Sequence, residues 1–390
     1  MLLALPAFAL SLSVTTVSGL LPVLLEAKSG PLAAGALVAM EGVFALLVPG
    51  LVGPWSDRYG RRLPFVYAAA VLATAALVLM ALGGPLWLFA VWIALFQIGY
   101  FAYLTPYFAL YPDLVEDEHA GRAQGLQGAW RSVGLGLAFV AGPALLALWR
   151  PAPFLLAAAV VAAVTPLVAV VVRRRVKSHG RSGTGGAGGF AGIVDLVRTR
   201  PGVGWFVAAN GLWETALAAL RAFAVLFVVR GLDREESFAS MVLAVVVVAA
   251  VFAAPLSGWL ADRMGRRRVI AVCLWVYGLG ALVPAFTQSI AILPVILLVA
   301  LAAVALMTLP YALLMGLLPE RDHGAGAALF SISRGVGLLA GPLLAGLAIT
   351  VLDGVFESTD GYAALFLVVS VSVLVTLPML RKMGATDAGS

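Results

Sequence analysis

Five charged side chains stand inside long apolar runs: Glu41, Arg131, Glu214, Arg221 and Arg334. A charge held in hydrocarbon costs a few kcal/mol at least, so such residues pair with one another or line a wet path. Glu41 and Glu214 can take up and release a proton, since a carboxylate in an apolar setting is readily neutralised. Arg131 and Arg334 can grip an anion through charge-assisted bonds, or serve as counter-ions to the two carboxylates. All five can also form buried ion pairs that only hold helices together. Two carboxylates against three guanidiniums favour the counter-ion role. Glu214 lies near the middle of its run, and Arg221 is two helical turns further along the same face.

A second group of residues repeats at helical spacing, three, four or seven apart, and so falls on single faces. These are Ser11, Thr15 and Ser18; Gln97, Tyr100, Tyr103 and Tyr107; Asn210, Glu214 and Arg221, with Trp213 beside them; and Thr308, Tyr311 and Met315. Such stripes either bond neighbouring helices or face a polar cavity. Aromatic Tyr100, Tyr103, Tyr107 and Trp213 together with Glu214 would suit a cation, through ring faces and one carboxylate. Phosphate-loop, zinc-hydrolase and nucleophile-elbow motifs are absent, so nothing supports an enzyme or direct use of ATP. No Cys/His spacing suits a metal, and no cofactor is expected. Cys273 is the one cysteine, so no disulfide forms within the chain.

The elements that must hold these residues follow from composition. The chain has 390 residues, 62% hydrophobic and only 11% charged, with mean hydropathy +1.04. Globular chains run near 25% charged, so a soluble fold is excluded. About 240 apolar residues fill roughly twelve membrane helices of about 20 residues each. Long apolar runs rather than short alternating ones exclude a β-barrel. Twelve spans are read at about 3–25, 32–53, 63–82, 86–111, 122–148, 154–172, 202–229, 238–260, 268–287, 291–315, 325–350 and 362–380. A basic, Gly-rich linker at 173–201 divides the chain into halves of 1–172 and 202–390; its composition cannot bury a core.

The net charge of +6 is explained by loop placement rather than by nucleic acid. With both termini in the cytoplasm, inside loops carry most of the basic residues. Outside loops carry only Lys28, Arg150, Arg230 and Arg234. That asymmetry fixes an N-in, C-in topology.

The halves repeat one another. Gly53-Pro-Trp-Ser-Asp57-Arg58-Tyr-Gly60-Arg61-Arg62 recurs as Gly258-Trp-Leu-Ala-Asp262-Arg263-Met-Gly265-Arg266-Arg267. Pro106-Tyr107 recurs as Pro310-Tyr311, and Arg131-Ser-Val-Gly134 as Arg334-Gly-Val-Gly337. Six spans plus six in one orientation form a parallel duplication.

The repeated G-x-x-x-D-R-x-G-R-R resembles the signature loop of the major facilitator superfamily, and the resemblance extends over the whole chain. The first copy departs at Leu63, where the family has a third basic residue. The resemblance implies an all-α fold of two six-helix bundles related by a pseudo-twofold axis, multi-pass in the inner (plasma) membrane. It implies that Gly53, Asp57, Arg58, Gly60 and Arg61, with Gly258, Asp262, Arg263, Gly265 and Arg266, gate the cytoplasmic side. It also implies that spans 1, 4, 7 and 10 line a central cavity, and these are the four that carry the stripes. Gly337-x-x-x-Gly341-Pro342-x-x-Ala345-Gly346 and Ala138-x-x-x-Gly142-Pro143-x-x-Leu146-Ala147 resemble the glycine stretch of drug-exporting antiporters. Both are also plain packing motifs.

The expected function is secondary transport of a small organic solute by alternating access, coupled to protons. A single copy in the lipid bilayer is expected to suffice. Export of an amphipathic or cationic drug by antiport is the leading reading. Pro106-Tyr107-x-Ala-Leu-x-Pro-Asp113 and Arg131 look somewhat like disaccharide symporters, so uptake of a sugar or similar metabolite is the alternative. A lipid transporter, or a non-transporting receptor on the same fold, is the third.

Overall fold

The computed structural model describes residues 2–59, 62–114, 117–175, 196–287, 293–319 and 323–383. Every regular element among them is helical. Hydrocarbon demands this, because each backbone N–H and C=O must find its partner within its own segment. The first half holds α1 (Leu5–Tyr59), α2 (Leu63–Leu82), α3 (Leu86–Leu114), α4 (Asp117–Leu148) and α5 (Ala152–Arg175). The second holds α6 (Pro201–Leu226), α7 (Glu236–Met264), α8 (Arg266–Phe286), α9 (Leu293–Gly316), α10 (His323–Val351), α11 (Ala364–Leu374) and α12 (Leu377–Lys382).

Ten stretches are long and apolar enough to cross a membrane. Two shorter apolar helices, Ala152–Val168 and Phe238–Val247, stand where the sixth and eighth spans are predicted. The first two spans share α1, which turns at Gly30 (φ 72°, ψ 170°). A residue without Cβ takes that conformation at no steric cost. The seventh span leaves α6 through a π-helical stretch, Phe227–Gly231, and the twelfth is divided between α11 and α12. The linker expected at 173–201 falls mostly on residues 176–195, outside the described residues.

The described residues form two compact units. One contains α1 to α5 together with Glu235–Ala244 at the start of α7; the other contains α6 and the chain from Val245 onward. Glu235–Ala244 therefore groups with the first half's helices, although it follows α6 in the chain.

Within each unit the helices meet through small residues. Without a water-driven hydrophobic effect between helices, close backbone contact supplies much of the association. The buried face of α2 is Val66, Ala69, Ala70, Ala73, Ala76, Leu77 and Met80. A Cβ at Gly99 of α3 would stand 2.7 Å from the Ala73 nitrogen. On α4, a Cβ at Gly134 would meet the Phe8 carbonyl oxygen and stand 3.0 Å from the Leu12 nitrogen of α1. On α10, a Cβ at Gly337 would meet Glu214 and stand 2.8 Å from the Gly211 carbonyl oxygen of α6. One at Gly341 would meet the Thr215 carbonyl oxygen and stand 2.8 Å from the Ala219 nitrogen. Gly337 and Gly341 of the antiporter-like stretch thus seat α10 on α6, and Gly134, just ahead of the first-half stretch, seats α4 on α1.

Candidate functional site

The matched glycine contacts place the two halves in register. Gly134 lies against Phe8, and Gly337 against Gly211. Three residues on from Phe8 is Ser11; three residues on from Gly211 is Glu214. The same packing position is therefore a hydroxyl in the first half and a carboxylate in the second. Each is accompanied by an arginine three residues before the packing glycine, Arg131 or Arg334.

In the second unit the charges are brought together. Arg334 Nε of α10 lies 3.8 Å from Glu214 Oε2 of α6. The arginine side chain is 44% exposed and the glutamate 15%, so the pair sits at an open edge of the helix seam. Four residues before Glu214, the buried Asn210 Nδ2 donates to Ser333 Oγ at 2.7 Å. The Ser333 hydroxyl in turn donates to the Phe330 carbonyl at 2.9 Å. This bond sets the rotation of α10 on α6 and so the reach of Arg334. Phe330, one turn before Arg334, meets the half-exposed Tyr311 ring of α9 edge to face at 5.3 Å. Tyr311, Phe330 and Arg334 thereby join two helices beside Glu214. Next to them on α9, Thr308 Oγ1 lies 3.2 Å from Ser257 Oγ of α7.

Trp213 is placed differently from its neighbour Glu214. It is fully buried, and its indole N–H donates to Thr376 Oγ1 at 2.8 Å, anchoring α6 on the junction between α11 and α12. Trp213→Phe keeps an aromatic ring but removes the donor and leaves a cavity where the second ring of the indole stood. It is expected to lower stability by about 1–3 kcal/mol, from the lost hydrogen bond and the cavity together, read as a fall in melting temperature in detergent; an unchanged melting temperature would remove Trp213 from the docking of α6. Arg221 is half-buried further along α6.

The first unit treats its stripe residues mainly as interior. Tyr103 and Tyr107 are almost wholly buried. The Tyr107 hydroxyl donates to the Leu3 carbonyl at 2.8 Å, and the Tyr103 hydroxyl lies 3.4 Å from Thr165 Oγ1. Ser11, Thr15 and Ser18 are buried, and Ser18 donates to the Val14 carbonyl one turn back at 2.8 Å. Tyr100 is half-buried, edge-on to Phe101 at 4.9 Å and stacked on Phe96 at 6.0 Å. Glu41 is 3% exposed, whereas Arg131 is exposed. Gln97 is 1% exposed, and its Oε1 has no hydrogen-bond partner among the described residues.

At the signature loops, Gly53 packs 3.6 Å from Thr105 of α3. The side chains of Asp57 and Arg58, and all of Gly60 and Arg61, lie outside the described residues. In the second copy Gly258 has open space around it, and Asp262 is exposed. Arg263 stacks over the Trp259 ring at 4.1 Å. Gly265 takes φ 87° between α7 and α8, and Arg266 Nη1 donates to the Ala312 carbonyl at 2.9 Å.

Phe330, Ser333, Ser257 and Thr376 belong to this arrangement and to none of the predicted stripes. Helical spacing from Arg334 points to Phe330. Nothing local points to Thr376, whose partner is far along the chain. Among the described residues no group of His, Cys, Asp and Glu could hold a metal ion.

Helices of membrane length, built twice over and carrying an ion pair midway along one seam, define a polytopic membrane carrier. The family model of the Major Facilitator Superfamily matches residues 3–234 and 216–386, and the chain belongs to that superfamily. It is accordingly a multi-pass inner-membrane transporter and not an enzyme. The tetracycline resistance protein, class G, of Vibrio anguillarum is 26% identical over 368 residues, spanning 90% of this chain and 88% of that protein. The bacillibactin exporter of Bacillus subtilis (strain 168) is 38% identical over 50 residues, 13% of this chain and 12% of that one. The fold is shared with a bacterial homolog of the human lysosomal transporter Spinster, in an inward-facing and occupied conformation: TM-score 0.84, 15% identity, 99% of this chain and 96% of that one. It is shared too with the nucleoside transporter NupG, at TM-score 0.75 and 15% identity over 98% of this chain and 99% of that one.

Proposed function

We propose that this chain exports an amphipathic, cationic or zwitterionic organic solute in exchange for protons, with Glu214 as the coupling carboxylate. The observation that carries this reading is the Glu214–Arg334 pair, 3.8 Å apart and partly open, in a span otherwise almost free of charge. A proton on Glu214 removes the counter-charge of Arg334, while an ionised Glu214 draws either Arg334 or a cationic group of the solute. Proton and solute then compete for one carboxylate, which is the requirement for antiport. Tyr311 and Phe330 supply ring surface for the apolar part of the solute. Asp262 and Arg263, on the exposed end of α7, and their first-half counterparts serve the changeover between access states.

The 26% identity to a tetracycline resistance protein across most of both chains supports export. Uptake draws less support, because Tyr107, which carries the symporter-like run, spends its hydroxyl on the Leu3 carbonyl.

The test is drug transport in everted membrane vesicles from an expressing strain. Tetracycline and the lipophilic cation ethidium are the probes. Energised vesicles should accumulate at least one of them, and collapsing the pH gradient should release it. Vesicles that accumulate neither, but move a sugar inward when right-side-out, would replace export with uptake.

A further inference from the structure

We infer, on the coupling role proposed for Glu214, that Asn210 is a positioning residue for the ion pair rather than a solute contact: through Ser333 it holds the Arg334 guanidinium at its distance from Glu214. Asn210 stands one turn before Glu214 on α6, and Ser333 immediately precedes Arg334 on α10. One hydrogen bond, from Asn210 Nδ2 to Ser333 Oγ at 2.7 Å, therefore ties the two helices together beside the pair. Asn210 is 1% exposed and Ser333 2%, so neither is open to a solute. The Ser333 proton goes to the Phe330 carbonyl at 2.9 Å, and its oxygen serves Asn210 as acceptor.

The bond acts as a lever. Successive residues on an α-helix are about 100° apart, so fixing the direction of Ser333 fixes that of Arg334. A side-chain atom about 6 Å from the helix axis moves about 1 Å for a rotation of about 10°. The Arg334 Nε to Glu214 Oε2 contact is 3.8 Å, against about 2.7–2.9 Å for a tight charge-assisted bond. A contact that long changes substantially with a further 1 Å, because Coulomb attraction falls with distance.

The first unit shows that such a bond is not needed to pack the seam. Gly134 meets the Phe8 carbonyl oxygen where Gly337 meets that of Gly211, so Ala7 is the counterpart of Asn210. The repeat of Arg131 as Arg334 makes Trp130 the counterpart of Ser333. There the Trp130 and Phe8 rings meet edge to face at 6.0 Å, and position 7 carries no polar group. The second unit uses a buried polar bond in the half where a carboxylate faces the arginine. A satisfied buried hydrogen bond specifies one arrangement of its neighbours, whereas apolar packing of small residues already seats α10 on α6 through Gly337 and Gly341.

The test is transport of tetracycline and ethidium in everted vesicles, measured for each protein both under a pH gradient and as exchange at equal pH. The ratio of the two rates is the readout, since a loss of folded protein lowers both alike. Asn210→Leu, which keeps the volume and removes the donor, should lower the ratio about tenfold. Ser333→Ala, a smaller change to the seam, should lower it as far, and the double variant no further. Ser333→Thr keeps the acceptor and should hold the ratio within about twofold of the wild type. In a Glu214→Gln background, Asn210→Leu should leave the ratio unchanged. A wild-type ratio in both Asn210→Leu and Ser333→Ala overturns the positioning role, as do losses that add in the double variant; a coupling loss in Glu214→Gln then still supports antiport. Full coupling in Glu214→Gln, or accumulation of neither probe by the wild type, overturns the antiport role and the positioning role together.

Discussion

Replacing Glu214 with Gln is expected to reduce pH-gradient-driven transport about 100-fold, to the level seen without a gradient, while solute exchange at equal pH continues at higher solute concentrations. A hundredfold loss corresponds to roughly 2.7 kcal/mol of coupling. Its origin is the loss of the one proton-accepting group at the Arg334 seam. Gln keeps the shape of Glu and can still accept a hydrogen bond from Arg334, but it cannot alternate between charged and neutral states. The fold should survive. The pair is 3.8 Å apart and its arginine 44% exposed, so Arg334 keeps access to water when its counter-charge is removed. A melting temperature near that of the wild type, together with lost coupling, is therefore the expected signature. Retained gradient-driven transport would remove Glu214 from the mechanism. Loss of equal-pH exchange as well would assign it to solute binding alone.

The second large effect is structural. Gly341→Val should destabilise the second unit by about 3 kcal/mol or more, since overpacking a tight contact costs about 1–3 kcal/mol and occasionally exceeds it. The obstacle is backbone rather than a movable side chain: the Thr215 carbonyl oxygen, and the Ala219 nitrogen at 2.8 Å. Gly337→Ala should cost less, because it adds one carbon where valine adds three, although that carbon also meets Glu214 and stands 2.8 Å from the Gly211 carbonyl oxygen. Gly50→Ala is the control. No atom lies within 4 Å of a Cβ placed there, so the helix-propensity gain of up to about 1 kcal/mol operates unopposed. Melting temperatures of the three proteins in one detergent should order as Gly50→Ala, Gly337→Ala, Gly341→Val, highest to lowest. Equal melting temperatures would mean that α10 is not seated on α6 by its glycines.

The α10 stretch shows why a motif needs its surroundings. Gly337-x-x-x-Gly341-Pro342 resembles a stretch of drug exporters, and in three dimensions it is a docking seam. What sets this seam apart is that Glu214 lies against Gly337. The matching seam in the first half lies against the Phe8 and Leu12 backbone, where no carboxylate stands.

The helical class, the places of the spans, the duplication and the five charges within spans were legible in the sequence, whereas the turn at Gly30 came only with the structure. Hydropathy and loop charge act locally: a segment meets its backbone hydrogen bonds internally and is oriented by its own flanks. The direction each stripe faces was legible as well, but not what lies opposite it. Spacing placed Tyr103, Tyr107, Asn210 and Trp213 on single faces, and only packing showed that those faces meet Thr165, Leu3, Ser333 and Thr376. Glu214 and Arg334 were each visible as costly charges. Their pairing depended on glycines that let two helices, far apart in the chain, approach backbone to backbone. Periodicity is a property of one helix, whereas a partner is a property of two, and the second helix enters only with the tertiary structure.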